Sequence, residues 1–197
     1  MNSYAVARSI LLPLLRTFWH FQVTGADNVP SSGALIVACN HVSYLDPPAL
    51  GSACPRQLRY MAKAELFDIP LLGSMIASVG AYPVDRKGST TAAIKRSVEV
   101  LREGGAIGIF PEGTRNLSGR IVPHKGVALL ASLGDAPVVP ACVTGSRKAL
   151  RLAPIKVAFG KPMALPAGRR ATRDDLAKFT VDVMNEIRSL AETIGGN

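Results

Sequence analysis

The sequence predicts a single α/β domain in which a central mixed or mostly parallel sheet is flanked by helices. Short apolar runs with the length of buried strands alternate with segments whose apolar residues recur at helical spacing. The chain has 197 residues, which is enough for one domain with a substantial core. Its composition, 48% hydrophobic and 19% charged, is that of a globular protein rather than a disordered one. No internal repeat or linker divides the chain.

The first apolar segment, from Tyr4 to Phe21, predicts an amphipathic helix. A proline and two arginines interrupt it, so it is too polar to span a bilayer, and it lacks the small-residue cleavage site of a signal peptide. One face carries Ile10, Leu11, Leu14, Leu15, Phe18 and Phe21, and the other carries Arg8, Ser9, Arg16 and His20. Two interpretations are open: a helix in a membrane interface, or a helix packed on the core. We expect residues 1–22 to form a membrane-associating helix and residues 23–197 to form the main domain.

The remaining elements follow in order along the chain. Six apolar runs predict strands: Ala34–Cys39, Leu58–Met61, Ala81–Val84, Ala106–Phe110, Val138–Cys142 and Ile155–Phe159. Helices are expected from Pro47-Pro48 to about Cys54, from Ser89 or Thr90 to Gly104, over Gly126–Leu133, and from a capping-box-like start at Thr172 and Asp175 to Ile194. The segment Ile69–Val79 is either a buried helix or a membrane-facing loop.

A histidine and an aspartate follow the first of these strands. In an uninterrupted helix, His41 and Asp46 would diverge by roughly 140° around the axis and would not meet. A turn at the end of the strand would bring the carboxylate onto the imidazole, fix its tautomer and leave the other ring nitrogen free as a base. The alternative is a loop histidine bonded to backbone beside an aspartate that caps a helix.

Polar groups also follow three other predicted strands. They are Arg86, the run Glu112-Gly113-Thr114-Arg115, and the segment Thr144–Arg147. Functional residues of α/β sheets collect beyond the carboxyl ends of the strands, so we expect these groups to share one site with His41. An imidazole base beside cationic and hydrogen-bonding groups suits transfer to a hydroxyl of a phosphate-bearing acceptor.

The net charge of +9 is unevenly distributed. Between Gly145 and Arg173 there are eight basic residues and no acidic one, which favours an anionic partner such as phospholipid headgroups or an acidic carrier protein. Nucleic acid is not expected, because Phe159 is the single aromatic ring of this block. A solvated basic face without a specific partner is the alternative. The three cysteines and three histidines show no metal-ligand spacing, and unpaired cysteines fit a reducing compartment.

Four ordered blocks together resemble one protein family. The sequence is similar to the glycerolipid acyltransferases, in particular the bacterial 1-acyl-sn-glycerol-3-phosphate acyltransferases. The resemblance runs from about Val23 to Phe159, and its blocks are Asn40 to Pro47, Gly80 to Arg86, Phe110 to Arg115 and, more weakly, Val138 to Cys142. One departure is Asn116, at a position where the family often has serine.

The resemblance implies that a fatty acyl group moves from a thioester to the free sn-2 hydroxyl of lysophosphatidic acid, giving phosphatidic acid in phospholipid biosynthesis. His41 would be the general base and Asp46 would orient it. The substrate phosphate would be bound by Arg86, Gly113, Thr114, Arg115 and Lys125, with Glu112 orienting one of the arginines.

The resemblance also implies partners and a location. The donor would be acyl-CoA or acyl-carrier protein, with no further cofactor and no metal. The protein would be peripheral or monotopic on the cytoplasmic face of the cell membrane. The alternatives are an acyltransferase for another lysolipid, such as a lyso-ornithine lipid, a noncatalytic peripheral lipid-binding protein, and a hydrolase. Gly145-Ser146 lacks the GxSxG pattern that a serine hydrolase of this class would need.

Overall fold

A computed structural model describes residues 3–84, 90–113, 126–166 and 171–195. The strands within these ranges are β1 (Gln22–Thr24), β2 (Leu35–Cys39), β3 (Leu58–Lys63), β4 (Tyr82–Val84), β5 (Ala106–Ile109), β6 (Val138–Thr144) and β7 (Lys156–Phe159). The helices are α1 (Ser3–Trp19), α2 (Asp46–Ala53), α3 (Leu72–Ser78), α4 (Thr90–Arg102), α5 (Gly126–Gly134) and α6 (Arg173–Thr193). A 3₁₀ helix spans Ser146–Arg151.

The strands form one mostly parallel sheet in the order β1-β7-β6-β2-β5-β3-β4. The five strands from β6 to β4 are mutually parallel, β7 is antiparallel to β6, and β1 runs parallel to β7. The predicted fold class is therefore confirmed. The carboxyl ends of β2, β3, β4, β5 and β6 meet at one edge of the sheet, where the loops that follow them can share a site.

The sheet is covered on both faces. All five residues of β2 are buried, as expected for a central parallel strand. Leu35, Val37 and Cys39 pack in one apolar cluster with α1, α2 and the 3₁₀ helix, whereas Ile36 and Ala38 pack in another with α4, α5 and α6. Because side chains alternate along a strand, these clusters lie on opposite faces of the sheet.

The first helix packs on the domain and also leaves apolar surface exposed. Leu15 is buried, and Leu11, Leu12 and Trp19 pack partly against the same cluster. By contrast, a row of three residues at four-residue spacing is 44–60% exposed: Ile10, Leu14 and Phe18. The apolar stripe of α1 is therefore wide: one side of it packs on the core, and the other side faces outward.

Arg8, on the polar side of α1, contacts the end of α2. Its Nε donates to the carbonyl of Ser52 at 3.1 Å, and the Tyr4 hydroxyl donates to the carbonyl of Gly51 at 2.8 Å. Both carbonyls lie in the last turn of α2, which has no intrahelical partners for them. Polar residues of α1 therefore complete the C-terminal end of a second helix, a pairing that only the tertiary fold creates.

Several boundaries differ from the sequence-based expectation. The edge strand β1 was not predicted, because its three residues are exposed and show no apolar pattern; it forms through pairing with β7. Helix α2 begins at Asp46, since Pro47 and Pro48 occupy its first turn, where the missing N–H groups cost nothing. The capping box at Thr172 and Asp175 is confirmed.

The segment from Ile69 to Val79 contains α3 but is not a buried helix. Within it Gly73 is buried, while Ile69, Leu71 and Met75 are 46–87% exposed. In the described part of the chain, no helix combines the length and apolar character needed to cross a bilayer.

Candidate active site

Asp46 is a fully buried carboxylate at the start of α2. Its Oδ2 accepts hydrogen bonds from the backbone N–H groups of Val42 and Ser43, at 2.6 and 2.7 Å, and contacts the Nδ1 of His41 at 2.9 Å. Its Oδ1 accepts from the hydroxyl of Ser146 at 2.5 Å. Burial of a charged group is costly unless polar partners replace its water, and these four donors do so.

This network assigns the tautomer of His41. An ionised carboxylate can accept but not donate, so the proton of the His41–Asp46 hydrogen bond resides on Nδ1. The Nε2 is then left with its lone pair and points away from the carboxylate. The imidazole is 16% exposed, so it lies at the surface of the site and not within the core. The turn after β2 thus brings together the two residues that the sequence pairs.

A stack of aromatic rings supports the imidazole from the side. The rings of His41 and Phe110 stack with centroids 4.3 Å apart, and Phe110 stacks on Tyr60 at 6.1 Å. The Tyr60 hydroxyl donates to the carbonyl of Pro47 at 3.1 Å, in the first turn of α2. Gly108 leaves the space for this arrangement, because a Cβ at that position would overlap the Tyr60 ring. The orientation of His41 therefore depends on β3 and β5 as well as on its own loop.

Asn40 anchors the same loop to β6. Its side-chain amide donates to the carbonyl of Val143 at 2.9 Å, and its Oδ1 accepts from the N–H of Val143 at 2.8 Å. These side-chain bonds join the residue after β2 to β6, beyond the last backbone pair of the two strands, Cys39 with Ala141. The start of the loop that carries His41 is therefore held in place by β6.

Ser146 is a site residue that the sequence analysis did not assign individually. The segment Thr144–Arg147 was noted as a strand-end group, but its contact was not specified. Gly145 adopts a left-handed φ of 79°, and a Cβ there would overlap the carbonyl of Pro154. This turn, which glycine allows, brings the Ser146 hydroxyl to Asp46 across 100 positions of sequence. In the sequence, the glycine directly after a predicted buried strand is the feature that could have indicated this turn.

The described part of the third block, Phe110 to Gly113, follows β5, and its Phe110 lies beside His41. Glu112 is buried with 8% exposure. Gly113 has a φ of 67°, and its N–H donates to the carbonyl of Phe110 at 3.0 Å, which closes a turn. Arg86, Thr114, Arg115 and Lys125, which the sequence analysis assigned to phosphate binding, lie outside the described residues.

The thiols next to the site are unsuited to nucleophilic attack. Burial, followed by the charges of Asp46 and Glu112, raises the pKa of the Cys142 thiol to about 12. Burial also raises the pKa of Cys39 well above its ordinary value. Both thiols stay protonated near neutral pH and therefore pack as apolar groups. Neither thiol is therefore a candidate nucleophile.

The chain is similar to known acyltransferases. Residues 20–144 match the family model described as Acyltransferase, which covers more than half of the chain. The 1-acyl-sn-glycerol-3-phosphate acyltransferase of Bacillus subtilis is 34% identical over 174 residues, which is 86% of this chain and 87% of that protein. The enzyme of the same name from Borreliella burgdorferi is 39% identical over 60% of this chain, although the match covers 48% of that protein.

A solved structure has the same fold. The crystal structure of the 1-acyl-sn-glycerophosphate (LPA) acyltransferase PlsC from Thermotoga maritima matches with a TM-score of 0.73, covering 99% of this chain and 84% of that chain, at 24% identity. With the family match, these similarities settle the class: the chain belongs to the acyltransferase family. The family resemblance noted in the sequence is thus confirmed.

We expect Ser146→Ala to destabilise the fold, because it removes one of the donors to a buried carboxylate. Hydrogen bonds to charged groups contribute about 1.5–3 kcal/mol, so the free energy of unfolding should fall by about that amount. Urea denaturation at neutral pH measures it. Ser78→Ala, which removes an exposed serine hydroxyl bonded to the carbonyl of Met75, is the matched control and should change stability by less than about 0.5 kcal/mol. Equal stability of both variants would show that the Ser146–Asp46 bond does not stabilise the fold.

Proposed function

We propose that this chain is a 1-acyl-sn-glycerol-3-phosphate acyltransferase. It transfers a fatty acyl group from the thioester of acyl-CoA or acyl-carrier protein to the free sn-2 hydroxyl of lysophosphatidic acid, and phosphatidic acid is formed. The observation that carries this proposal is the 2.9 Å contact between His41 Nδ1 and the buried carboxylate of Asp46, in a chain of the acyltransferase family. The relatives that bear this enzyme name support the choice of acceptor.

The geometry accounts for a direct transfer. Nε2 of His41 takes the proton of the acceptor hydroxyl while the alcohol oxygen attacks the thioester carbonyl. The tetrahedral intermediate then expels the thiolate, and the imidazolium returns the proton to the sulfur. The products are the new ester and the free thiol of the donor. Asp46 keeps Nδ1 protonated and stabilises the imidazolium, because its charge is held 2.9 Å away in a buried position.

Binding of the substrate phosphate is assigned to basic and small residues around the third block. A guanidinium group can bind two phosphate oxygens at once, so Arg86 and Arg115 are the proposed phosphate ligands. In this proposal Thr114 and Lys125 add donors, Gly113 lets the backbone approach, and Glu112 orients an arginine. Glu112 and Gly113 lie two and three positions after Phe110, which stacks on His41, and this supports a phosphate site next to the proposed base.

The proposed location is the cytoplasmic face of the cell membrane, with the protein bound peripherally. The exposed row Ile10, Leu14 and Phe18 on α1 supports contact with the membrane interface, since apolar residues on one helix side can enter the headgroup boundary. The three unpaired, buried cysteines fit a reducing compartment.

His41→Ala should lower turnover with lysophosphatidate and acyl-CoA by at least roughly 10²-fold, because a general base typically contributes ~10²–10⁴-fold in rate. Steady-state kinetics of the purified variant, with urea denaturation to verify folding, measures this. The control is His20→Asn at an exposed histidine whose φ is 44°, a backbone position that asparagine tolerates. A folded His41→Ala variant with near-normal turnover would remove His41 from the mechanism.

Arg115→Ala should raise the KM for lysophosphatidate by roughly 10–100-fold and leave the KM for the donor unchanged, because a charge-assisted hydrogen bond contributes about 1.5–3 kcal/mol. Initial rates with each substrate varied in turn separate the two constants. Arg102→Ala, at an exposed arginine at the end of α4, serves as the control. An effect confined to the donor would assign Arg115 to the donor site instead.

Replacement of Ile10, Leu14 and Phe18 by serine should weaken vesicle binding by at least roughly 10-fold, because the variant removes less apolar surface from water when it binds. The variant keeps Leu11 and Leu15, which pack on the core. Flotation with phosphatidylcholine vesicles at high salt measures the apolar contribution. Leu133→Ser with Val181→Ser, at exposed residues of α5 and α6, is the matched control. Undiminished flotation of the α1 variant would show that this row does not bind the membrane.

A further inference from the structure

The turn that follows β6 presents apolar side chains to solvent. Leu150 is fully exposed, and Leu152 is 53% exposed. The exposed basic residues around them are Arg147, Lys148 and Arg151. We call Arg147–Leu152 the docking turn. Ala149 within the turn and Ser146 just before it are buried, so the exposed leucines are not needed to complete the core.

The backbone of the docking turn makes the exposed leucine at its end more unusual. Leu152 has a φ of 53° and a ψ of 29°, in the left-handed region that glycine or asparagine adopts at lower cost. A leucine here gains little burial and carries a backbone cost. Strain at an exposed apolar residue favours a role in binding over a role in packing.

The docking turn is held rigidly beside α1. The indole Nε1 of Trp19 donates to the carbonyl of Ala149 at 2.8 Å, and the N–H of Ile155 donates to the carbonyl of Trp19 at 2.9 Å. Phe18 packs edge-on against Trp19, with ring centroids 5.9 Å apart. The docking turn therefore lies next to the Phe18 end of the exposed row of α1.

A groove beside the docking turn lies close to the proposed catalytic pair, His41 and Asp46. This groove of about 360 Å³ runs between the end of α1 and the docking turn, with Trp19, Leu45, Leu150 and Leu152 among its walls. It reaches Ser43 and Ser146, which both donate to Asp46. A ligand surface that covers the docking turn is thus placed next to the groups that orient His41.

Charge indicates the kind of partner. The docking turn opens the block from Gly145 to Arg173, which has eight basic residues and no acidic one. A second exposed apolar segment, Ile69 to Met75, is preceded by Lys63, Glu65 and Asp68 and therefore has no excess of basic charge. Exposed leucines between basic side chains suit a lipid interface, where leucine enters the headgroup boundary and the cations meet phosphates.

From these contacts we infer that the docking turn binds the surface of an anionic phospholipid bilayer. Leu150 and Leu152 enter the headgroup boundary, and Arg147, Lys148 and Arg151 lie at the lipid phosphates. The inference deepens the proposed function and rests on it in one respect, since the acceptor lipid resides in the bilayer that the turn would contact. It adds a binding element distinct from the apolar row of α1, and anionic lipid strengthens the binding of this element through the basic side chains.

The test is co-sedimentation of the full chain with vesicles of phosphatidylcholine, alone or mixed with phosphatidylglycerol, at low and high salt. Lys148→Glu with Arg151→Glu should weaken binding to the anionic vesicles by at least roughly 30-fold at low salt, because each basic residue near such a surface contributes several-fold. Leu150→Ser with Leu152→Ser should weaken binding to both vesicle types by roughly 10-fold. The control is Lys178→Glu with Val181→Ser on α6, at exposed residues that belong to the opposite face of the sheet.

The outcomes separate this inference from the proposed function. Turnover with detergent-dispersed lysophosphatidate and acyl-CoA should be unchanged in the docking-turn variants. A wild-type chain that binds anionic vesicles but has no turnover in any assay would contradict the proposed function and leave the docking turn intact. Vesicle binding that is equal in wild type and both variants would overturn the inference. If charge reversal raised only the KM for acyl-carrier protein, the turn would be a carrier site and the lipid assignment would be wrong.

Discussion

A carboxylate can stay buried and charged only when polar groups replace the water that it loses. Asp46 has this requirement, and it is met by the imidazole of His41, two N–H groups of the same loop and the hydroxyl of Ser146. One side chain thereby determines the path of the loop after β2, the start of α2 and the position of the turn after β6. The tautomer of the base follows from the same bonds. Packing and chemistry are thus coupled through a single buried charge.

The aromatic stack supplies the second constraint on the base. The hydrogen bond from Nδ1 to Asp46 limits where the imidazole lies, and the flat contact with Phe110 restricts rotation about that bond. Phe110 rests in turn on Tyr60, whose ring takes the space that Gly108 leaves free. Residues on or next to β2, β3, β5, β6 and α2 therefore contribute to the orientation of His41. Such support suits general-base catalysis, in which the alignment of the reacting groups strongly affects the rate.

The two faces of the sheet are packed against different parts of the protein. The α4, α5 and α6 face completes an apolar core, with Phe179, Val183 and Ile187 buried against the sheet. The other face combines a core with His41 and Asp46, the outward row of α1 and the docking turn. In the proposed function the acceptor lies in a bilayer, so the proposed base must lie near apolar and basic surface. Here these features share one side of the molecule, and hydrogen bonds through Trp19 and Ser146 join them.

The sequence by itself determined the alternation of strands and helices and the family, and it offered the contact of His41 with Asp46 as one of two interpretations. Hydrophobic periodicity reports local burial, and a five-residue turn is local enough to foresee. The contact of Ser146 with Asp46, the edge strand β1 and the bonds of Arg8 to the end of α2 came from the tertiary structure. So did the division of the α1 stripe into core and exposed rows. The physical reason is that these features depend on partners distant in sequence, whose approach is set by packing of the whole sheet and not by local pattern.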